Sequence, residues 1–272
     1  MALYMNGQEI SQSSGVPISG ATKPYIEEIY NSDGQLISAN MHGYDAIRSY
    51  MFSDCPNLAL NSLPNSITSI GKYAFQNCTN LALNSLPSGI TSIGSNAFSG
   101  CTNLALTSLP SSITSISSYT FYSCSNLALT SLPSGITSIG LGAFLNCSKL
   151  ALTSLPSGIT SIGNNAFYSC TKLALTSLPS GLTSIGRDAF YHCPNLALTS
   201  LPSGLTSIGN NAFEKCTGLT SITFTGTPTS IGNNAFSSCT NLTTINVPWA
   251  NGAVANAPWG ATNATINYGY TG

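Results

Sequence analysis

Nine cysteines stand 23 residues apart, from Cys55 through Cys78 and Cys101 to Cys239. Each has a phenylalanine three residues before it, Phe52 to Phe236, and a leucine three after it, Leu58 to Leu242. A fixed period in the twenties is the mark of a solenoid, in which each repeat is one coil. A single coil cannot bury its own apolar face, so neighbouring coils must stack to make a continuous core. That requirement constrains the architecture more than any other feature of the chain.

Positions are counted here from a coil's cysteine. The stretch Cys78-Thr-Asn-Leu81-Ala-Leu83-Asn-Ser-Leu86-Pro87 places apolar residues among small polar ones and reads as a short strand. Pro87, without an N–H and with φ fixed, ends it and turns the chain. Ser88 to Gly94 then reads as a second extended segment with two inward isoleucines, Ile90 and Ile93. Ser95-Asn96-Ala97-Phe98 suggests a capped single turn of helix, with Phe98 and Cys101 sharing the inner face. The pattern predicts a mainly β, right-handed solenoid of 23-residue coils with a parallel sheet and short turns or one-turn helices. Full coils span 56–239, with a degenerate one at 33–55 and a half coil at 240–248. At parallel-strand spacing the stack makes a rod about 45 Å long.

The coil written as Leu104-Ala-Leu106, Leu109-Pro110, Ile113, Ile116, Phe121 and Cys124 resembles the BspA-like class of leucine-rich repeats, over about 33–248. The class carries an apolar residue at position 6. Ile222 and Ile245 keep it, whereas Asn61, Asn84 or a threonine such as Thr153 stands there in the other coils, with leucine one place earlier. This departure leaves the register of the first strand open. Residues 1–32 and 249–272 break the period and are expected to cap the two ends, with Trp249 and Trp259 suited to be lids. The ending PWGATNATINYGYTG is also similar to those of phage-encoded repeat proteins of gut bacteria. The resemblance implies an extracellular, cell-surface or virion-surface protein used in adhesion, although Met1 to Gly15 shows no signal peptide.

Composition narrows the function classes. Only 6% of residues are charged and the net charge is −1, so no basic surface can neutralise phosphates or anchor to anionic lipid. No run approaches the apolar length of a membrane span. Nucleic-acid binding and membrane insertion are therefore not expected. The cysteine column is expected to hold reduced thiols as small core groups, because in-register side chains run parallel and the count is odd. Zinc-ligand spacing is lacking, and no cofactor motif is present. His42 and His192 lie on different coils and pair with no nucleophile by spacing, which points to a non-enzymatic protein.

Variation among coils concentrates at positions 2, 17, 18, 21 and 22, which hold every charged residue between 56 and 239. Those positions must face water. Position 21 runs through Tyr122, Leu145, Tyr168 and Tyr191, flanked by Tyr119 at position 18 and Arg187 at position 17. A protein or glycan partner is expected to bind along this row. Two alternatives stand beside it. The rings could merely cover their neighbours in a structural spacer of a surface assembly, or the threonine ladder Thr137, Thr160 and Thr183 could bind ice or another ordered surface.

Overall fold

The computed structural model describes residues 24–271 in full and the backbone of 3–5 and 8–10. Leu3–Met5 and Gln8–Ile10 pair antiparallel. The remaining residues before 24, which make up most of the segment expected to cap the rod, lie outside the described part. A second antiparallel hairpin joins Tyr25–Tyr30 to Leu36–His42. Its turn is organised by the Asn31 side chain, whose Oδ1 accepts from the amides of Asp33 and Gln35. Ala39 and Met41 point into the core. Ile37 accepts the Ala59 amide at 2.9 Å. Most of the degenerate coil at 33–55 thus begins as a hairpin strand that covers the first regular coil.

From there the chain is a parallel β-solenoid. Each coil contributes a two-residue rung at positions 14 and 15: Ala46–Ile47, Ser69–Ile70 and Ser92–Ile93 in one sheet, then six rungs from Ser115–Ile116 to Ser230–Ile231 in another. Every rung pairs in register with its neighbour 23 residues away within its sheet. The rungs are short for a geometric reason. The buried residues around them, such as Ile90 and Ile93, are three apart, and an extended chain cannot turn both to one side for longer.

The strand expected over positions 0 to 9 is absent from most coils. Residues at positions 3, 5 and 8 face the core (Leu150, Leu152 and Leu155, for example), and the step from 5 to 8 breaks a two-residue alternation. One backbone bond joins neighbouring coils on this leucine side, Ala151 N–H to Leu129 at 3.1 Å. Ladders form only near the C-terminal end, over Ser200–Leu201, Ser221–Phe224, Thr244–Val247 and Thr265–Tyr268.

The one-turn helix is also replaced. Among the described residues there is no helix; positions 17 to 22 form two tight turns with left-handed residues at 18 and 22, as at Asn96 (φ 57°) and Asn146 (φ 62°). Amides at positions 18, 20 and 22 donate forward to the next coil, as Tyr73 to Ser95, Phe75 to Ala97 and Asn77 to Ser99. Amides at 19, 21 and 23 close the turns, as Ala97 to Gly94, Ser99 to Asn96 and Cys101 to Phe98. The backbone is satisfied without helical geometry.

The core is a column of nine phenylalanines from Phe52 to Phe236, ring on nearly parallel ring, with centroids 5.3–5.8 Å apart. At its end Phe236 meets Phe224 edge-on, and Trp249 and Trp259 pack over Phe224. Thr265–Tyr268 continues the sheet beside Thr244–Val247, so the segment after 248 both closes the core and extends the ladder.

Candidate partner-binding face

The turn side of the rod carries the variable positions, and its backbone decides what they present. Left-handed φ is costly for residues with a Cβ and is held most easily by glycine or asparagine. Position 18 mostly obeys this, with Asn96, Gly142, Asn165, Asp188, Asn211 and Asn234. Yet tyrosine occupies it three times, at Tyr50 (φ 61°), Tyr73 (φ 57°) and Tyr119 (φ 55°). Tyr50 and Tyr73 stack at 4.8 Å, and Tyr50 is 61% exposed. Tyr119 lies over Gly142, where an added Cβ would come within 2.4 Å of the ring. The missing side chain of Gly142 is therefore the seat of the Tyr119 ring.

The six residues singled out from the sequence fall into two groups along this side. Tyr119 meets Tyr122 edge-on at 6.1 Å, and Tyr122 is exposed. Leu145 on the following coil is half-buried. Leu141, which the sequence reading passed over, is as exposed as Tyr122 and adds to this apolar group. One or two coils on, Tyr168 and Tyr191 stack face to face at 4.5 Å. Lys215 extends over the Tyr191 ring, 4.7 Å from its centroid, and donates to the Tyr191 hydroxyl. That bond holds the Lys215 ammonium above its ordinary range, while partial burial and the neighbouring Tyr191 raise the Tyr168 phenol. Arg187 is turned aside: its Nε donates to Asp188 at 2.9 Å and its amide to Asn164 Oδ1 at 2.8 Å. Lys215 belongs to the row and was missed as a site residue, although it sits at one of the variable positions.

The other features resolve into structural roles. All nine cysteines are free, and eight are buried. They are more than apolar filler, because each of the eight donates its thiol to the carbonyl of the previous coil's phenylalanine, as Cys147 to Phe121 at 3.0 Å. Burial pushes Cys78 and Cys239 up to about 12 and holds the interior thiols, such as Cys124 and Cys170, well above their ordinary value. Half-buried Cys55 is raised by burial and then by Glu28 and Asp54. Among the described residues no cluster of three or more His, Cys, Asp or Glu could hold a metal, and no helix is long and apolar enough to cross a membrane. Five of the threonines at position 13 (Thr68, Thr91, Thr137, Thr183 and Thr206) aim their hydroxyls at the preceding coil's carbonyl, as Thr183 to Thr160 at 3.0 Å and Thr206 to Thr183 at 2.9 Å.

Residues 45–174 and 146–257 match the model of the BspA type leucine rich repeat region (6 copies), together well over half of the chain. The chain belongs to this family. Among curated proteins no match is found. Several solved bacterial structures are similar to this BspA-type protein. A leucine-rich repeat protein from Eubacterium ventriosum is 20% identical, with 91% of this chain and 85% of that chain covered and a TM-score of 0.49. One from Bacteroides ovatus is 23% identical over 82% of this chain and 75% of that one, with a TM-score of 0.43. A leucine rich cell surface protein from Faecalibacterium prausnitzii is 22% identical over 93% and 97% of the two chains, with a TM-score of 0.40.

Proposed function

We propose that this BspA-type rod is a non-enzymatic recognition module, acting at a cell or virion surface and binding a protein partner along its turn side. The carrying observation is the backbone beneath the tyrosines. Tyr50, Tyr73 and Tyr119 hold left-handed conformations that asparagine fills on other coils, at a cost of about 1 kcal/mol each. Large side chains retained at a local cost on a solvent-facing row favour a role in contact. Tyr119, held in this way, and its edge-on partner Tyr122 anchor the first group, the stacked Tyr168 and Tyr191 anchor the second, and Leu145 and Leu141 extend the apolar part. Lys215 brings charge to the second group, whereas Arg187 is held by Asp188. A protein partner fits better than a glycan, because a sugar stacks on an open ring face. Tyr191 lies between Tyr168 of the coil before and Lys215 of the coil after, leaving edges and hydroxyls outermost.

The spacer reading draws support from the same stacking, since rings that cover one another need no partner. Ice binding is the weaker alternative, because in Thr137 and Thr183 of the ladder the hydroxyl is turned onto a backbone carbonyl. The deciding experiment measures binding of the chain to glycans and to intact bacterial and epithelial cells, beside the variant Y122A/Y168A/Y191A. Selective binding lost in a folded variant, and removed by protease treatment of the cells, is the expected result. Binding by the variant equal to the parent sinks the tyrosine anchors, and no binding by either favours the spacer. Tyr119→Asn should unfold at the same or a higher denaturant concentration than the parent, a gain of up to about 1 kcal/mol, while binding weakens.

A further inference from the structure

Position 16 is a place of close approach between coils. A Cβ added to Gly71, Gly94, Gly163, Gly186, Gly209 or Gly232 would fall 2.3–2.6 Å from the backbone of the preceding coil. Glycine there lets the rungs meet, and two backbone bonds then lock each junction: Thr91 to Thr68 and Gly94 to Ile70, both 2.8 Å, then Thr137 to Thr114 and Gly140 to Ile116, both 2.9 Å. Ser117 is the exception among these coils. Its Cβ cannot occupy the space that the glycines leave empty. Neither the Thr114 nor the Ser117 amide bonds the preceding coil, among the described residues. Side-chain hydroxyls stand in for the lost backbone bonds: Ser117 donates to Ile93 O at 3.0 Å, Ser112 to Ile90 O and Thr120 to Gly94 O.

The sheet topology expresses this loss, and the ring spacing registers the same opening separately. The rungs Ser92–Ile93 and Ser115–Ile116 do not pair, and here one sheet ends and the next begins. Phe98 and Phe121 stand 5.8 Å apart, the widest step in a column otherwise spaced at 5.3–5.6 Å. The turn side remains closed by Asn96 to Ser118, Phe98 to Thr120 and Gly100 to Tyr122, at 3.1, 2.9 and 2.7 Å.

We propose that the junction between Ile93 and Ser117 is a hinge that divides the rod into two rigid blocks. It opens on the rung side and pivots on the turn side. In a solenoid, stability is a sum of coil and junction terms, so movement concentrates where a junction has lost bonds. Bending this way brings the turn sides of the blocks toward each other. The stacked Tyr50 and Tyr73 ride on the first block, and the row from Tyr119 to Tyr191 rides on the second. The hinge stands without the binding reading; only the clasp it would make of the two tyrosine groups rests on that reading.

Hydrogen exchange of the full chain without any partner tests the hinge alone. Amides of 114–117 should exchange about tenfold faster than those of 137–140, the loss expected for a missing junction bond. Ser117→Gly should slow 114–117 to match the other junctions, and Gly163→Ser should create a second fast site at 160–163. Protection of 114–117 equal to that of 137–140 in the parent overturns the proposal, as does Ser117→Gly leaving the exchange unchanged. If Gly163→Ser does not fold, Ser117→Gly decides by itself.

Discussion

The leucine side of the coil after Cys147 and its counterpart after Cys216 differ in where the inward residues stand: Leu152 at position 5 gives way to Ile222 at position 6, and Leu155 and Pro156 at positions 8 and 9 give way to Phe224 and Thr225. In the first, Leu152 stands at position 5 with Thr153 after it. In the second, Ser221 stands at position 5 and Ile222 at position 6. Ile222 and Phe224 are two apart, so an extended chain buries both, and Ser221–Phe224 forms a ladder with Thr244–Val247. Leu152 and Leu155 are three apart, and the same stretch stays irregular with one inter-coil bond. Outer side chains follow the backbone: Asn267 donates to Asn246, and Asn246 to Thr223, down the ladder. Whether a coil pairs on this side depends on the spacing of inward residues more than on how apolar the segment is.

Alkaline pH should break both regions together and gives the largest expected effect. The buried thiols have native values raised above the ordinary 9.0, so they stabilise the fold fully below pH 9. That contribution is lost as pH climbs toward the native values, at roughly 1.4 kcal/mol per thiol for each pH unit. Circular dichroism should show cooperative loss of structure between about pH 10 and 11. In native protein at pH 8, Cys55 should react first with a thiol reagent. Rapid reaction of most of the nine would overturn the buried column.

Ile222→Thr attacks the laddered region alone. It removes buried hydrocarbon and introduces a hydroxyl on the core side, costing about 2–3 kcal/mol in denaturant titration. Exchange protection at 221–224 should fall while that at 150–155 is unchanged. The smallest effect sharpens the comparison in the other direction. L198T/T199I moves the apolar residue to position 6 in the coil next to the ladder, where Ser200–Leu201 already pairs with it. Stability should change by less than about 1 kcal/mol, and amides at 198–200 should become protected. Unchanged protection there would mean that spacing does not control pairing.

The phenylalanine and cysteine columns were legible at once, because a strict period with two invariant side chains leaves them no place but the axis. The isoleucine rungs followed from the same columns. The leucine segment was misread as a strand because Leu81, Leu83 and Leu86 look alternating until the step of three is counted. The helical turn was misread because Ala-Phe after a polar residue resembles a cap. Asparagine or glycine recurring at position 18 was the signal of left-handed backbone, and it was overlooked. For the candidate face, solvent exposure was readable from where the charges vary. The seating of Tyr119 on Gly142 and the reach of Lys215 to Tyr191 depend on which rings lean across coils, which one coil's sequence does not encode. Ser117 in a glycine column was visible, but its meaning needed the measured approach of neighbouring backbones.

The uniformity of the junctions from Gly140 to Gly232 has an evolutionary consequence. On the turn and rung sides, excising 23 residues anywhere in that stretch rejoins two surfaces that already fit, with ring on ring, thiol on carbonyl and glycine against backbone as before. Excising 22 would put a bulky group into the glycine column and a polar one on the axis. Recombination between such similar gene segments can thus shorten or lengthen the molecule in whole coils while leaving both closed ends intact, and reach becomes a heritable trait separate from fold.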